Sequence, residues 1–137
     1  MREILFRGKR VDNGEWVYGL LCRVGDTYAN IVEKSTEVMC TVLTNTIGQS
    51  TGLTDKNGRK IFEGDIIHLE YSQVFFGGVY FGEYTAEVSY KEGCFITDGT
   101  NNGDEIETPL SGFDNDEVEI IGNIHDNPEL RGGESDG

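Results

Sequence analysis

Few side chains in this sequence have the type and spacing to do chemistry. Two histidines, His68 and His125, stand near carboxylates: Asp65 and Glu70 flank the first, Asp126 follows the second. Imidazole and carboxylate together can ligate a metal, and strands starting at Ile66 and ending at Ile124 could bring the two groups side by side. Neither histidine lies in a zinc-ligand spacing, and no Cys-x-x-Cys occurs. Polar strand positions are therefore expected, with no metal and no cofactor. Cys94 could act as a nucleophile only with His68 or His125 as its base. No nucleophile motif surrounds it, and its neighbour Phe95 points to core packing. An acid pair such as Asp104 and Glu107 has the residue types of a glycosidase. That chemistry needs one carboxyl with a raised pKa in a cleft. With 25 Asp and Glu in the chain, pairs arise by number alone. No catalytic constellation is complete, so a non-enzymatic protein is expected.

The stretch GQSTGLTDKNGRKIFEGDII, Gly48 to Ile67, is the most patterned segment. A phosphate loop would need Gly-x4-Gly-Lys-Ser/Thr, which is absent. A calcium loop counted from Asp55 would put Gly58 at position 4 and Ile66 at position 12, where Gly belongs at 6 and Glu at 12. Asp55, Asn57 and Gly58 instead read as a tight turn, and Gly64 as a second one. Asp can bond its own backbone, and Gly can take a positive φ.

Around these turns the sequence reads as short strands. Asp12-Asn13-Gly14 joins Ile4–Arg7 to Glu15–Cys22 as a β-hairpin, with Asn13 and Gly14 at its tip. Val38–Leu43, Ile66–Tyr71, Tyr84–Tyr90, Cys94–Thr97 and Glu117–Ile124 follow as strands. Residues 98–116 look like an acidic loop anchored by Leu110 and Phe113. Asp126-Asn127-Pro128 starts a short turn of helix, and residues 131–137 form a disordered tail. Ten per cent aromatic residues and 19 glycines against two prolines favour strands over long helices. Core positions are expected at Ile4, Phe6, Trp16, Val17, Leu20, Ile61, Ile66, Leu69, Val88, Phe95, Ile120 and Ile124. The three cysteines, Cys22, Cys40 and Cys94, read as reduced, buried thiols. No apolar run approaches 18 residues, and MREILFRGKR carries no apolar stretch after its charges, so neither a membrane span nor a secretory signal is expected.

Three blocks carry a family resemblance: REILFRGKRVDNGEWVYGLL, TIGQSTGLTDKNGRKIFEGDII and VEIIGNIHDNPEL. Together, and in this order, they resemble the YopX family of phage and prophage proteins. The resemblance implies a small, mostly β protein acting in the cytoplasm of a bacterial host. It implies an SH3-like roll that begins near EGDII and closes with VEIIGNI. It implies no activity, because the family has no established catalytic or binding residues. Residues 72–84 depart from the pattern as an aromatic insertion, and His125 stands where the family often has an aromatic residue. The expected architecture is all-β: an N-terminal β-hairpin region over residues 1–50, packed on a C-terminal SH3-like β-roll or small barrel over 51–130.

Net charge bounds the partners. The chain carries −14, and from Asp98 onward twelve acids face one base, Arg131. Direct nucleic-acid binding, with Trp16 and Tyr18 of the more basic first hairpin stacking on bases, runs against that balance. Two readings remain. The first is an interaction protein that forms a homo-oligomer or binds a host or phage protein. Its contact would be the aromatic hairpin around Gly77-Gly78, with Phe75, Phe76, Tyr80, Phe81 and Tyr84. The second is an acidic decoy whose carboxylates imitate DNA phosphates and occupy a nucleic-acid-binding protein of the host.

Overall fold

The computed structural model describes residues 4–101 and 104–133, and their side chains except those of 73–75, 80, 100, 101, 104–106 and 131–133. It divides into two compact units, Met1–Gly52 and Leu53–Gly137. Among the described residues the strands form antiparallel pairs, and the helical segments are short 3-10 turns. No helix among the described residues is long and apolar enough to cross a membrane.

The first unit contains β1 (Phe6–Lys9), β2 (Trp16–Val24), β3 (Tyr28–Glu33) and β4 (Met39–Leu43), and then β5 (Gly48–Thr54), which carries the chain into the second unit. The sheet order in this unit is β4-β3-β2-β1-β5. The first hairpin turns at Asn13, whose side-chain Oδ1 accepts the Glu15 N–H at 2.9 Å. Gly14 follows at φ 74°. Inside, Val17, Ala29, Ile31, Cys40 and Val42 make the core, with Phe6 packed against it. Two expected core residues are not there: Ile4 is 58% and Leu20 62% exposed. Alternation along a strand explains the second. Val17 points inward, so Leu20, an odd number of residues on, must leave by the opposite face. At the first strand Leu5 takes the buried place, and its carbonyl accepts the Ser50 N–H at 2.7 Å. Phe6 and Trp16 are half-buried. Cys22 is exposed as well, at a register shift in β2.

The second unit contains β6 (Lys60–Phe62) and then β7 (Asp65–Phe75), β8 (Gly78–Lys91), β9 (Cys94–Asn101), β10 (Asp104–Pro109) and β11 (Val118–Asn123). The last five form one sheet in the order β10-β9-β8-β7-β11. Neither sheet closes on itself among the described residues, so the expected small barrel gives way to open sheets. The acidic segment after Asp98, expected as loop, pairs instead as β9 and β10 from Asn101↔Asp104 to Ile96↔Pro109. Lys91 Nζ sits 2.9 Å from Glu107 Oε2, an opposite charge for one of the acids that made this segment read as loop. The core is Ile61, Ile67, Leu69, Tyr84, Ala86, Val88, Leu110, Val118 and Ile120, with Phe95 and Phe113 packed on it. Each such aliphatic side chain contributes about 1.5–3 kcal/mol by leaving water. Ile66 is also buried, and Ile124 is half-buried. The 3-10 segment Pro128–Gly133 takes in residues 131–133 of the expected tail; residues 134–137 lie outside the described residues.

Two turns fix this unit. Asp55 is buried, and its carboxylate accepts three backbone N–H groups: Asn57 at 3.0 Å, Arg59 at 2.9 Å and Ile120 at 3.0 Å. The Ile120 bond spans 65 residues and ties the turn to β11. Gly58 closes the turn at φ 81°, which costs a residue with a Cβ about 1 kcal/mol. Gly64 lies at φ 94°; its N–H donates to Val88 O, and its carbonyl accepts from Ile124. Asp65 caps that second turn by accepting the Phe62 N–H at 2.8 Å.

Candidate interaction surface

β7 and β8 pair over ten positions, from Ile66↔Glu87 to Phe75↔Gly78. Their neighbours stop sooner. β11 pairs β7 only up to Leu69, and β9 pairs β8 only from Ala86. Residues 70–75 and 78–85 therefore form a two-stranded ribbon with no third strand beside it among the described residues. Such a ribbon is marginal in water unless its side chains pack on something.

The strand period sorts the ribbon's side chains. Tyr84 points to the core, where it is buried and its hydroxyl lies 3.4 Å from Thr97 Oγ1. It is thus a core residue and not the contact residue expected from sequence. Tyr71 shares that face, 6.1 Å from Tyr84 edge to face, with its ring over the space that Gly82 leaves open. The two rings help line a cavity of about 360 Å³ with Ser72, Thr108, Gly112, Phe113 and Glu117. On the other face Phe81 is 82% and Val79 53% exposed, and Phe76 at the turn is fully exposed. The side chains of Phe75 and Tyr80 lie outside the described residues; their backbones pair with Gly78 and Gln73.

Beyond Phe81 the same face turns acidic. Glu70 stands opposite Glu83, Glu119 opposite His68, and Glu87, Asp98 and Glu107 stand in one row across β8, β9 and β10. All five strands of the sheet contribute a carboxylate. Lys91 answers Glu107, and the Lys91 pKa is raised by that hydrogen bond and by the charge of Glu107. Lys56 lies 3.8 Å from Glu119.

The remaining candidates from sequence are dispersed. His68 Nε2 is 2.8 Å from Glu83 Oε1 and 3.9 Å from Glu70 Oε2. His125 belongs to a different cluster, an Asn123–Asp126 turn in which Asn123 Oδ1 accepts the His125 and Asp126 N–H groups. Cys94 is exposed, not packed in the core, at the Lys91↔Cys94 end of β8. His68 faces Thr85, six residues back along β8, so roughly 20 Å separates the two. The Asp104 side chain lies outside the described residues, and Glu107 is paired to Lys91. In the first unit the Trp16 ring is covered by cations: Arg7 Cζ lies 4.6 Å and Lys9 Nζ 5.5 Å from its centroid. The grouping of His68 with Glu83 was missed because Glu83 lies within the segment read as an insertion. Its cross-strand position depends on the register of the hairpin.

Comparison with known proteins agrees with this architecture. The family model described as YopX protein matches residues 5–131, nearly the whole chain. The chain belongs to the YopX family. Among solved structures, this YopX protein is similar to protein EF1440 from Enterococcus faecalis. The match has a TM-score of 0.53 and 25% identity, and covers 95% of this chain and 99% of that one. No curated protein matches.

Proposed function

We propose that this YopX protein is a non-enzymatic interaction module that self-associates through the β7–β8 ribbon. We place it, as a phage or prophage product, in the cytoplasm of a bacterial host. One observation carries the reading: Phe76, Val79 and Phe81 stand in water on a ribbon whose outer edges carry no third strand among the described residues. Two copies meeting through these residues would bury six apolar side chains at about 2 kcal/mol each. That gross gain is comparable to the roughly 4–15 kcal/mol cost of association, so a modest, reversible oligomer is expected. A symmetric dimer is its simplest form. The second unit is also read as an open relative of the SH3-like roll. Its four-strand meander is followed by 3-10 turns and a last strand, β11, returning beside the first, β7. Light scattering of the intact protein beside Phe76→Ser/Phe81→Ser tests the self-association. An intact protein above monomer mass and a monomeric double variant support it. A monomeric intact protein, or a variant that stays equally associated, rejects it.

The acidic decoy is a second reading, favoured by the row of carboxylates Glu87, Asp98 and Glu107 across β8, β9 and β10. A continuous charged face is what imitation of a phosphate backbone requires. Binding to a DNA-binding protein of the host would then weaken steeply with salt. Salt-independent binding, or unchanged binding by Glu87→Gln/Asp98→Asn, speaks against it.

A further inference from the structure

We infer that His68, Glu70 and Glu83 form a binding site for a divalent transition-metal ion such as zinc, at the root of the ribbon. One ligand atom from each of the three residues lies within 4.8 Å of the other two. All three leave the same face of the sheet. His68 and Glu70 are two residues apart on β7, and Glu83 is the direct cross-strand partner of Glu70.

The geometry needs little adjustment. Zinc bonds of about 2.0–2.2 Å in a tetrahedron put ligand atoms roughly 3.4 Å from one another. The imidazole-to-carboxylate distances here, 2.8 and 3.9 Å, bracket that value. Glu70 and Glu83 are the exposed members, so their side chains can close on an ion by rotation without backbone movement. His68 is the anchored member, with its side chain 28% exposed. One imidazole and two carboxylates suit zinc better than calcium or magnesium, which take six or more oxygens. The fourth position would hold water.

A second observation points to a cation at this place. Like charges directly opposite on paired strands destabilise a sheet. Glu70 and Glu83 are such a pair, and Glu119 stands opposite His68 on β11. This crowding falls where β11 and β9 stop pairing with β7 and β8, so the ribbon beyond is held by its own hydrogen bonds. A divalent ion would neutralise the two carboxylates and cross-link the strands there. Sequence alone grouped His68 and His125 with Asp65, Glu70 and Asp126; the structure keeps Glu70 beside His68 and brings Glu83 to them.

The inference is independent of self-association, because its readout is metal binding by the intact protein. Calorimetric titration with zinc would be run in a Cys22→Ser/Cys94→Ser background, which removes the two exposed thiols as ligands. One ion per chain is expected. His68→Ala and the isosteric Glu83→Gln should each weaken binding at least about tenfold through loss of a direct ligand, while His125→Ala should leave it unchanged. Absence of binding at submillimolar zinc overturns the site. So does equal affinity in the parent and His68→Ala. Either result would leave His68–Glu83 as an ordinary hydrogen-bonded pair on a sheet face.

Discussion

Replacing Asp55 by Ala should remove the fastening between the DKNG turn and the last strand. The carboxylate accepts three backbone N–H groups, two inside the turn and one from Ile120. The Ile120 N–H is buried, so losing its acceptor costs the full desolvation of that group, about 1–3 kcal/mol. The Asn57 and Arg59 donors belong to exposed residues that water can reach, and each should lose roughly 0.5–1.5 kcal/mol. A total of about 2–6 kcal/mol follows, a large share of the roughly 4–13 kcal/mol typical of a unit this size. Asp55→Asn keeps an oxygen for the two turn donors but can turn an N–H₂ group toward Ile120, so about 2–3 kcal/mol is expected. The pH dependence provides a separate check. Burial pushes the Asp55 pKa up, but the Ile120, Arg59 and Asn57 N–H groups outweigh it and hold the pKa below the ordinary 3.8. A carboxyl depressed in the folded state contributes stability above its unfolded pKa and loses it as pH falls through the folded one. The intact protein should therefore lose stability below about pH 4, and Asp55→Asn should flatten that acid limb. Urea denaturation followed by circular dichroism, at pH 7 and through the acid range, measures both effects. A cost below about 1 kcal/mol for Asp55→Ala, or an unchanged acid limb in Asp55→Asn, would refute the reasoning.

Further outcomes follow from the backbone and the faces. Gly58→Ala should cost about 1 kcal/mol, because φ of 81° is strained for any residue with a Cβ although open space surrounds the position; urea midpoints at constant slope measure it. Leu20→Ser should change stability by no more than about 0.5 kcal/mol, whereas Val17→Ala, at a fully buried position, should cost roughly 1–3 kcal/mol. Similar losses for the two would contradict the assignment of faces in β2.

Much of this architecture was legible because local rules were strong. Asn13-Gly14 and the DKNG and EGD turns carry residues whose side chains or φ angles make the turn itself. The apolar runs between them are too short for anything but strands. What alternation could not supply was which phase of a run faces inward. Val17 and Leu20 looked equally apolar, and only the pairing of β1, β2 and β3 decides between them. The acidic β10 was illegible for another reason. Its DEIETP sequence lacks an apolar face and gains its place by pairing with β9, with Lys91 reaching Glu107 from β8. The ribbon was legible as aromatic, but the separation of Tyr84 from Phe81 needed the register. The same register brings Glu83 to His68.

In the proposed assembly, exposed aromatics on the β7–β8 ribbon hold copies of the chain together. Sedimentation velocity over a range of protein concentrations, at salt from about 0.05 M to about 0.5 M, tests it most directly. The intact chain carries −14, so apolar association must overcome repulsion between copies, and screening that repulsion should favour the oligomer. The expected result is a shift toward larger species with both concentration and salt, and a monomer throughout for Phe76→Ser/Phe81→Ser. An intact protein that sediments as a monomer under every condition, or an oligomer that dissolves as salt rises, would contradict it.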